Sequence, residues 1–179
     1  MRPYNVRPDA LLLNFKALHL TLAPAGERIA IFSEPKPENL DLINLVKPGT
    51  GACGDWKEGL RSDVVQHDLR YRLVLSGTYP LSCGEKVWHL AALPHERYVL
   101  GVFTQLWHEL GGEFHGNVRD GQPPAAAALT VGTESPAVAE VIRDINKFSN
   151  NVMAQQLFLA LAPDRPASAE AATRRVQEW

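Results

Sequence analysis

The chain has 179 residues, of which 45% are hydrophobic and 21% charged, proportions of a soluble globular protein and not of a disordered one. Its 18 Lys and Arg against 20 Asp and Glu leave a net charge of −2, and no run of like charge provides the electrostatic footprint of a nucleic-acid binder. No stretch approaches the roughly 20 apolar residues of a membrane span, because Lys16, His19 and Gln155 break the longest apolar segments.

The opening Met1-Arg2-Pro3-Tyr4-Asn5 lacks the apolar core of a secretory signal, which an internal piece of an exported protein would lack as well. From about Ala10 to Leu93 the pattern is mostly period two, which predicts a β-rich half. Strands are predicted at Leu11 to Leu22 and at Arg28 to Phe32, with turns at Pro24-Ala25-Gly26 and Pro35-Lys36-Pro37. Leu69, Tyr71, Leu73 and Leu75 alternate with Arg70 and Arg72, and Val87, His89 and Ala91 alternate with Trp88, Leu90 and Ala92. After Pro94 the spacing of Tyr98, Val102, Phe103, Leu106, Trp107 and Leu110 becomes helical, until Gly111-Gly112 stops it. Gln122-Pro123-Pro124 and Ala125 to Ala128 read as a surface loop. Ser135-Pro136 then offers an N-cap and a first-turn proline for a helix whose buried stripe would be Val138, Val141, Ile142 and Ile145. That stripe breaks at Phe148-Ser149-Asn150-Asn151 and resumes through Val152, Leu157, Phe158 and Leu161 to Pro163, so Ser149 and Asn151 are expected on a helix-to-helix turn. Ala167 to Trp179 is helical in propensity and reads as an element cut short.

Several motifs invite chemistry. Gly49-Thr50-Gly51-Ala52-Cys53-Gly54 fits the letters of a dinucleotide-binding turn, but Asp55 to Gly59 is too short and polar to open the helix that would hold a pyrophosphate. His108, Glu109, Glu113 and His115 suggest a metal cluster, yet Gly112 stands where H-E-x-x-H needs its second histidine, and a solvated helix end is the simpler reading. His19, His67, His89 and His95 are scattered and carry no assigned chemistry. Ser33-Glu34-Pro35-Lys36 has the letters S-x-x-K, but that nucleophile motif needs serine and lysine one helical turn apart, and Pro37 holds Lys36 out of the helical region. Cys53 and Cys83 lie in loop-like surroundings without a Cys-x-x-Cys pair; two unrelated thiols and one disulfide are equally compatible with the residues alone. Ser149-Asn150-Asn151 is an S-x-N triplet comparable to S-D-N of penicillin-recognising enzymes, although three such letters are more often a turn or an N-cap.

The surroundings of that triplet carry a resemblance. Glu134-Ser135-Pro136 followed by the run from Ala139 through Arg143-Asp144-Ile145-Asn146-Lys147-Phe148-Ser149-Asn150-Asn151-Val152-Met153-Ala154 resembles the second-motif region of D-alanyl-D-alanine carboxypeptidases of the penicillin-binding protein 4 type. Pro3-Tyr4-Asn5-Val6, Pro8-Asp9-Ala10-Leu11-Leu12-Leu13-Asn14-Phe15 and Gly77-Thr78-Tyr79-Pro80-Leu81 are similar to the same family, so the likeness spans nearly the whole chain.

The resemblance implies an α+β fold: residues 1–96 as the end of a β-rich inserted module, and residues 97–179 as the helical part of a penicillin-recognising, transpeptidase-like serine-enzyme domain. It implies a serine-type carboxypeptidase or endopeptidase acting on peptidoglycan stem peptides that end in D-Ala-D-Ala, periplasmic, open to β-lactams when complete, and using no cofactor or metal. Within it Ser149 would pass a proton to the leaving amine, while Asn151 would hydrogen-bond the substrate backbone and steady the lysine of S-x-x-K. Lys147 is expected as a solvated helix-end residue. The S-x-x-K and K-T-G motifs do not occur in a credible context, so the chain is expected to be inactive alone. The export that the resemblance implies also favours a Cys53–Cys83 disulfide. A non-catalytic peptidoglycan- or partner-binding module ranks second, and an unrelated β-plus-α scaffold third.

Overall fold

The computed structural model describes residues 3–122, 124–128, 130–163 and 166–179; Met1, Arg2 and Pro123 of the expected loop lie outside them. The chain divides into two compact units: Lys16–Asp120, and the described part of Arg2–Phe15 together with that of Gly121–Trp179.

The first unit contains strands β1 (Leu18–Ala25), β2 (Arg28–Glu34), β3 (Leu40–Gly49), β4 (Leu60–His67), β5 (Arg70–Pro80) and β6 (Lys86–Leu90), followed by helix α1 (His95–Glu109). Among the described residues the strands form two three-stranded sheets, ordered β2-β1-β6 and β3-β5-β4. All pairings are antiparallel except β3 with β5, which run parallel. Alternation decides which face is buried: Leu18, Leu20 and Leu22 of β1 and Leu73 and Leu75 of β5 are at most 1% exposed. Each contributes about 1.5–3 kcal/mol through burial.

One strand expectation needs correction, and one strand was not foreseen. The strand expected from Leu11 starts only at Leu18, because Asn14, Phe15 and Lys16 all adopt positive φ, at 43°, 50° and 56°. Asparagine tolerates that region, but a run of three cannot lie in an extended ladder. No alternation marks β4, since only Leu60 of its residues is buried.

Helix α1 stays with the sheets by specific bonds. The Tyr98 hydroxyl, buried, donates to the Ala17 carbonyl at 3.0 Å, and the Asn39 side-chain amide donates to the Arg97 carbonyl at 3.0 Å. The Glu38 N–H reaches the Gly101 carbonyl at 3.0 Å, and a Cβ on Gly101 would run into the Asn39 side chain. The expected domain boundary at 96/97 falls inside this unit, within the first turn of α1. Beyond the last turn Gly111 takes φ 83°, and the Gly111 and Gly112 N–H groups bond the carbonyls of His108 and Trp107. This is the left-handed glycine stop that the sequence predicts.

The second unit contains a 3-10 turn at Pro3–Asn5 and helices α2 (Val138–Phe148), α3 (Asn151–Ala160) and α4 (Ala169–Gln177). Helix α2 begins later than Ser135-Pro136 suggests: Ala137 precedes its first turn, without a side-chain cap. Its expected buried stripe is only half covered, with Val141 and Ile145 intermediate but Val138 61% and Ile142 42% exposed. α3 is the neighbour it packs on, and one helix covers only part of a stripe so wide. Ala162, Ala171 and Ala172 form a small core with Phe158 between α3 and α4, and the Ser168 hydroxyl caps α4 by accepting from the Ala171 N–H at 3.1 Å.

Candidate active site

The S-x-N triplet occupies the α2–α3 connection. Ser149 closes α2 in the left-handed region, φ 50° and ψ 45°, with its backbone N–H on the Ile145 carbonyl. Asn150 is extended, and its side-chain oxygen accepts from the Met153 N–H at 3.1 Å, which makes it the N-cap of α3. Asn151 is the first residue of α3, and Val152 behind it is fully buried. The capping role that competes with a functional reading thus falls on the middle residue. Ser149 and Asn151 remain exposed on either side of it.

Asn151 is nonetheless held in place. Its Nδ2 donates to Asn5 Oδ1 at 2.9 Å, and one turn further along α3 Gln156 Nε2 donates to the Asp9 carbonyl at 2.6 Å. The segment around the 3-10 turn therefore lies against α3 and holds the side chain of the asparagine. Asn5 was not singled out as a site residue by sequence; its only signal was its place in the Pro3-Tyr4-Asn5-Val6 stretch. The Lys147 ammonium sits 5.3 Å from the centroid of the exposed Phe148 ring, at the end of α2.

The other motifs go elsewhere. Ser33 lies on β2 and its hydroxyl donates to the Pro35 carbonyl at 2.9 Å, so Ser33 and Lys36 share no helical face. The glycine-rich segment is a loop, with Gly51 and Gly54 at φ 107° and 48°, and no helix follows it. Cys53 in that loop is disulfide-bonded to Cys83, with Cα atoms 4.7 Å apart. His108 and Glu109 end α1, while His115 and Glu113, both almost fully exposed, lie 3.7 Å apart beyond it. Among the described residues no three His, Cys, Asp or Glu are grouped so as to hold a metal ion, and no helix is long and apolar enough to cross a membrane.

Solved structures share this fold. The crystal structure of penicillin binding protein 4 from Haemophilus influenzae superposes with a TM-score of 0.67 at 22% identity, covering 98% of this chain and 39% of that one. The same protein complexed with a novel beta-lactam superposes with a TM-score of 0.59 at 23% identity, covering 92% of this chain and 38% of that one. The likeness shows the α+β fold of a part of that protein, and this chain spans well under half of its length. No curated protein matches the chain. The sequence pattern of the D-Ala-D-Ala carboxypeptidase 3 (S13) family matches residues 1–179, from one end to the other, and the chain belongs to that family.

Proposed function

We propose that this chain supplies the second-motif wall of a serine-type D-Ala-D-Ala carboxypeptidase or endopeptidase. Its nucleophilic serine and lysine (S-x-x-K) and its K-T-G strand would lie in sequence outside these 179 residues. The observation that carries the reading is the α2–α3 connection: Asn150 does the capping, Ser149 and Asn151 are left exposed, and Asn151 is braced by Asn5. In the proposed reaction the nucleophilic serine, its proton taken up by the adjacent lysine, attacks the carbonyl of the terminal D-Ala-D-Ala amide. Ser149 passes a proton to the departing amine as the C–N bond breaks, and Asn151 hydrogen-bonds the substrate backbone and steadies the lysine. Water then hydrolyses the acyl-enzyme. Peptidoglycan stem peptides are the proposed substrates, β-lactams the proposed inhibitors and the periplasm the proposed compartment. We place the catalytic part in the helices around the triplet, with the β-rich sheets before it as an inserted module.

A labelled penicillin tests this. The 179-residue chain alone is expected to form no covalent adduct on intact mass, whereas the complete protein forms one. In the complete protein Asn151→Ala is expected to slow acylation by about 10²-fold or more while changing stability by less than about 1 kcal/mol. A complete protein that never acylates would point to a non-catalytic binding module instead. An Asn151→Ala variant that is less stable yet acylates at the full rate would make the triplet a structural turn.

A further inference from the structure

His19 and His89, which have no shared motif in the sequence, become neighbours in the fold. β1 and β6 pair antiparallel with His19 directly opposite His89, and the rings stand edge to face with centroids 3.9 Å apart. Both are exposed, on the face of the sheet away from buried Leu18, Leu20 and Leu22. On the other side of His19, Glu34 of β2 is opposite it in register and also exposed.

Two convergent imidazoles are ligands for zinc, nickel and copper ions. Metal–nitrogen bonds of about 2.0–2.1 Å on a tetrahedral ion put the two nitrogens about 3.3 Å apart. The ring torsion of histidine is broad, so the exposed rings can turn to bring one nitrogen of each towards that spacing. The ligand form is the neutral ring. Partial desolvation, and then the charges of His19 and Lys57, hold His89 below its ordinary value of 6.5. Lys57 repels a metal cation as it repels a proton, and Glu34 acts in the opposite sense.

We propose that the cross-strand pair His19 and His89 forms a two-imidazole site for a divalent transition-metal ion such as Zn2+, with water in the remaining positions. Both histidines belong to the first unit, and the proposal is independent of any peptidase reading. Because β1 and β6 hold both rings on one rigid ladder, the second nitrogen binds with a high effective concentration.

The test is calorimetric titration of the whole chain with ZnCl2 and with NiCl2, near pH 7.5 and near pH 5.5. One saturable equivalent is expected at the higher pH and markedly weaker binding at the lower, since protons compete for both rings. His19→Gln or His89→Gln is expected to weaken binding by about tenfold or more. His115→Gln, at the exposed Glu113 pair, should leave it unchanged. Both pair residues are exposed, so the variants should fold, and circular dichroism checks this directly. Absence of saturable binding up to about 1 mM metal, or binding that survives loss of either His19 or His89, would overturn the proposal.

Discussion

At the scale of single residues, the backbone of Ser149 separates stability from function. A side chain with a Cβ in the left-handed region costs about 1–2 kcal/mol, and glycine is the residue that ordinarily ends a helix this way. Glycine adds back about 0.5–1 kcal/mol through the freedom of the unfolded chain. Ser149→Gly is therefore expected to leave stability unchanged or raise it by up to about 1 kcal/mol, as read from urea unfolding. In the complete protein it would also remove the proposed proton relay and slow acylation by about 10²-fold or more. A large loss of stability would instead show the hydroxyl to be a structural bond of the turn. Strain kept where glycine would relieve it is what a residue retained for its side chain looks like.

At the scale of elements, helix α1 is seated by a close approach that admits no side chain at Gly101. Gly101→Ala is expected to cost about 1–3 kcal/mol, because the added methyl must push Asn39 off the Arg97 carbonyl or lift the helix. Thermal unfolding of the variant would show it, and an unchanged midpoint would mean that the helix shifts freely. This contact was invisible in the sequence, although α1 itself was legible from the spacing of Tyr98, Val102, Phe103 and Leu106 and from Gly111. β5 was legible for the same reason: Tyr71, Leu73 and Leu75 face one way and Arg70 and Arg72 the other. β4 was not, because a strand with one buried residue leaves no period to read. The helix-to-helix connection at Ser149 could be seen because the apolar stripe breaks there. Its brace could not, since Asn5 and Asn151 are 146 residues apart and only the fold puts them together. The His19–His89 pair escaped notice likewise, being a product of strand register. The start of α2 was misplaced because Ser135-Pro136 is a good local signal that the surrounding structure does not use.

At the scale of the whole molecule, one covalent link organises the second sheet. Cys53 follows β3 and Cys83 follows β5, so the disulfide ties the same ends of two parallel partners and closes a loop that contains β4 and β5. For a separation of 30 residues the chain-entropy model gives about 3–4 kcal/mol, and reduction or a Cys53→Ser, Cys83→Ser double variant is expected to lower the unfolding midpoint accordingly. The enclosed loop also carries an exposed corner of that sheet, the tight β4–β5 turn, where Asp68 has φ 53° and Leu69 is 57% exposed. Such corners are where proteases cut first. A single cut there would leave two polypeptides that run as one band on a non-reducing gel and as two after dithiothreitol. The severed strands would remain tethered side by side, so a clipped molecule keeps its second sheet for as long as its surroundings stay oxidising.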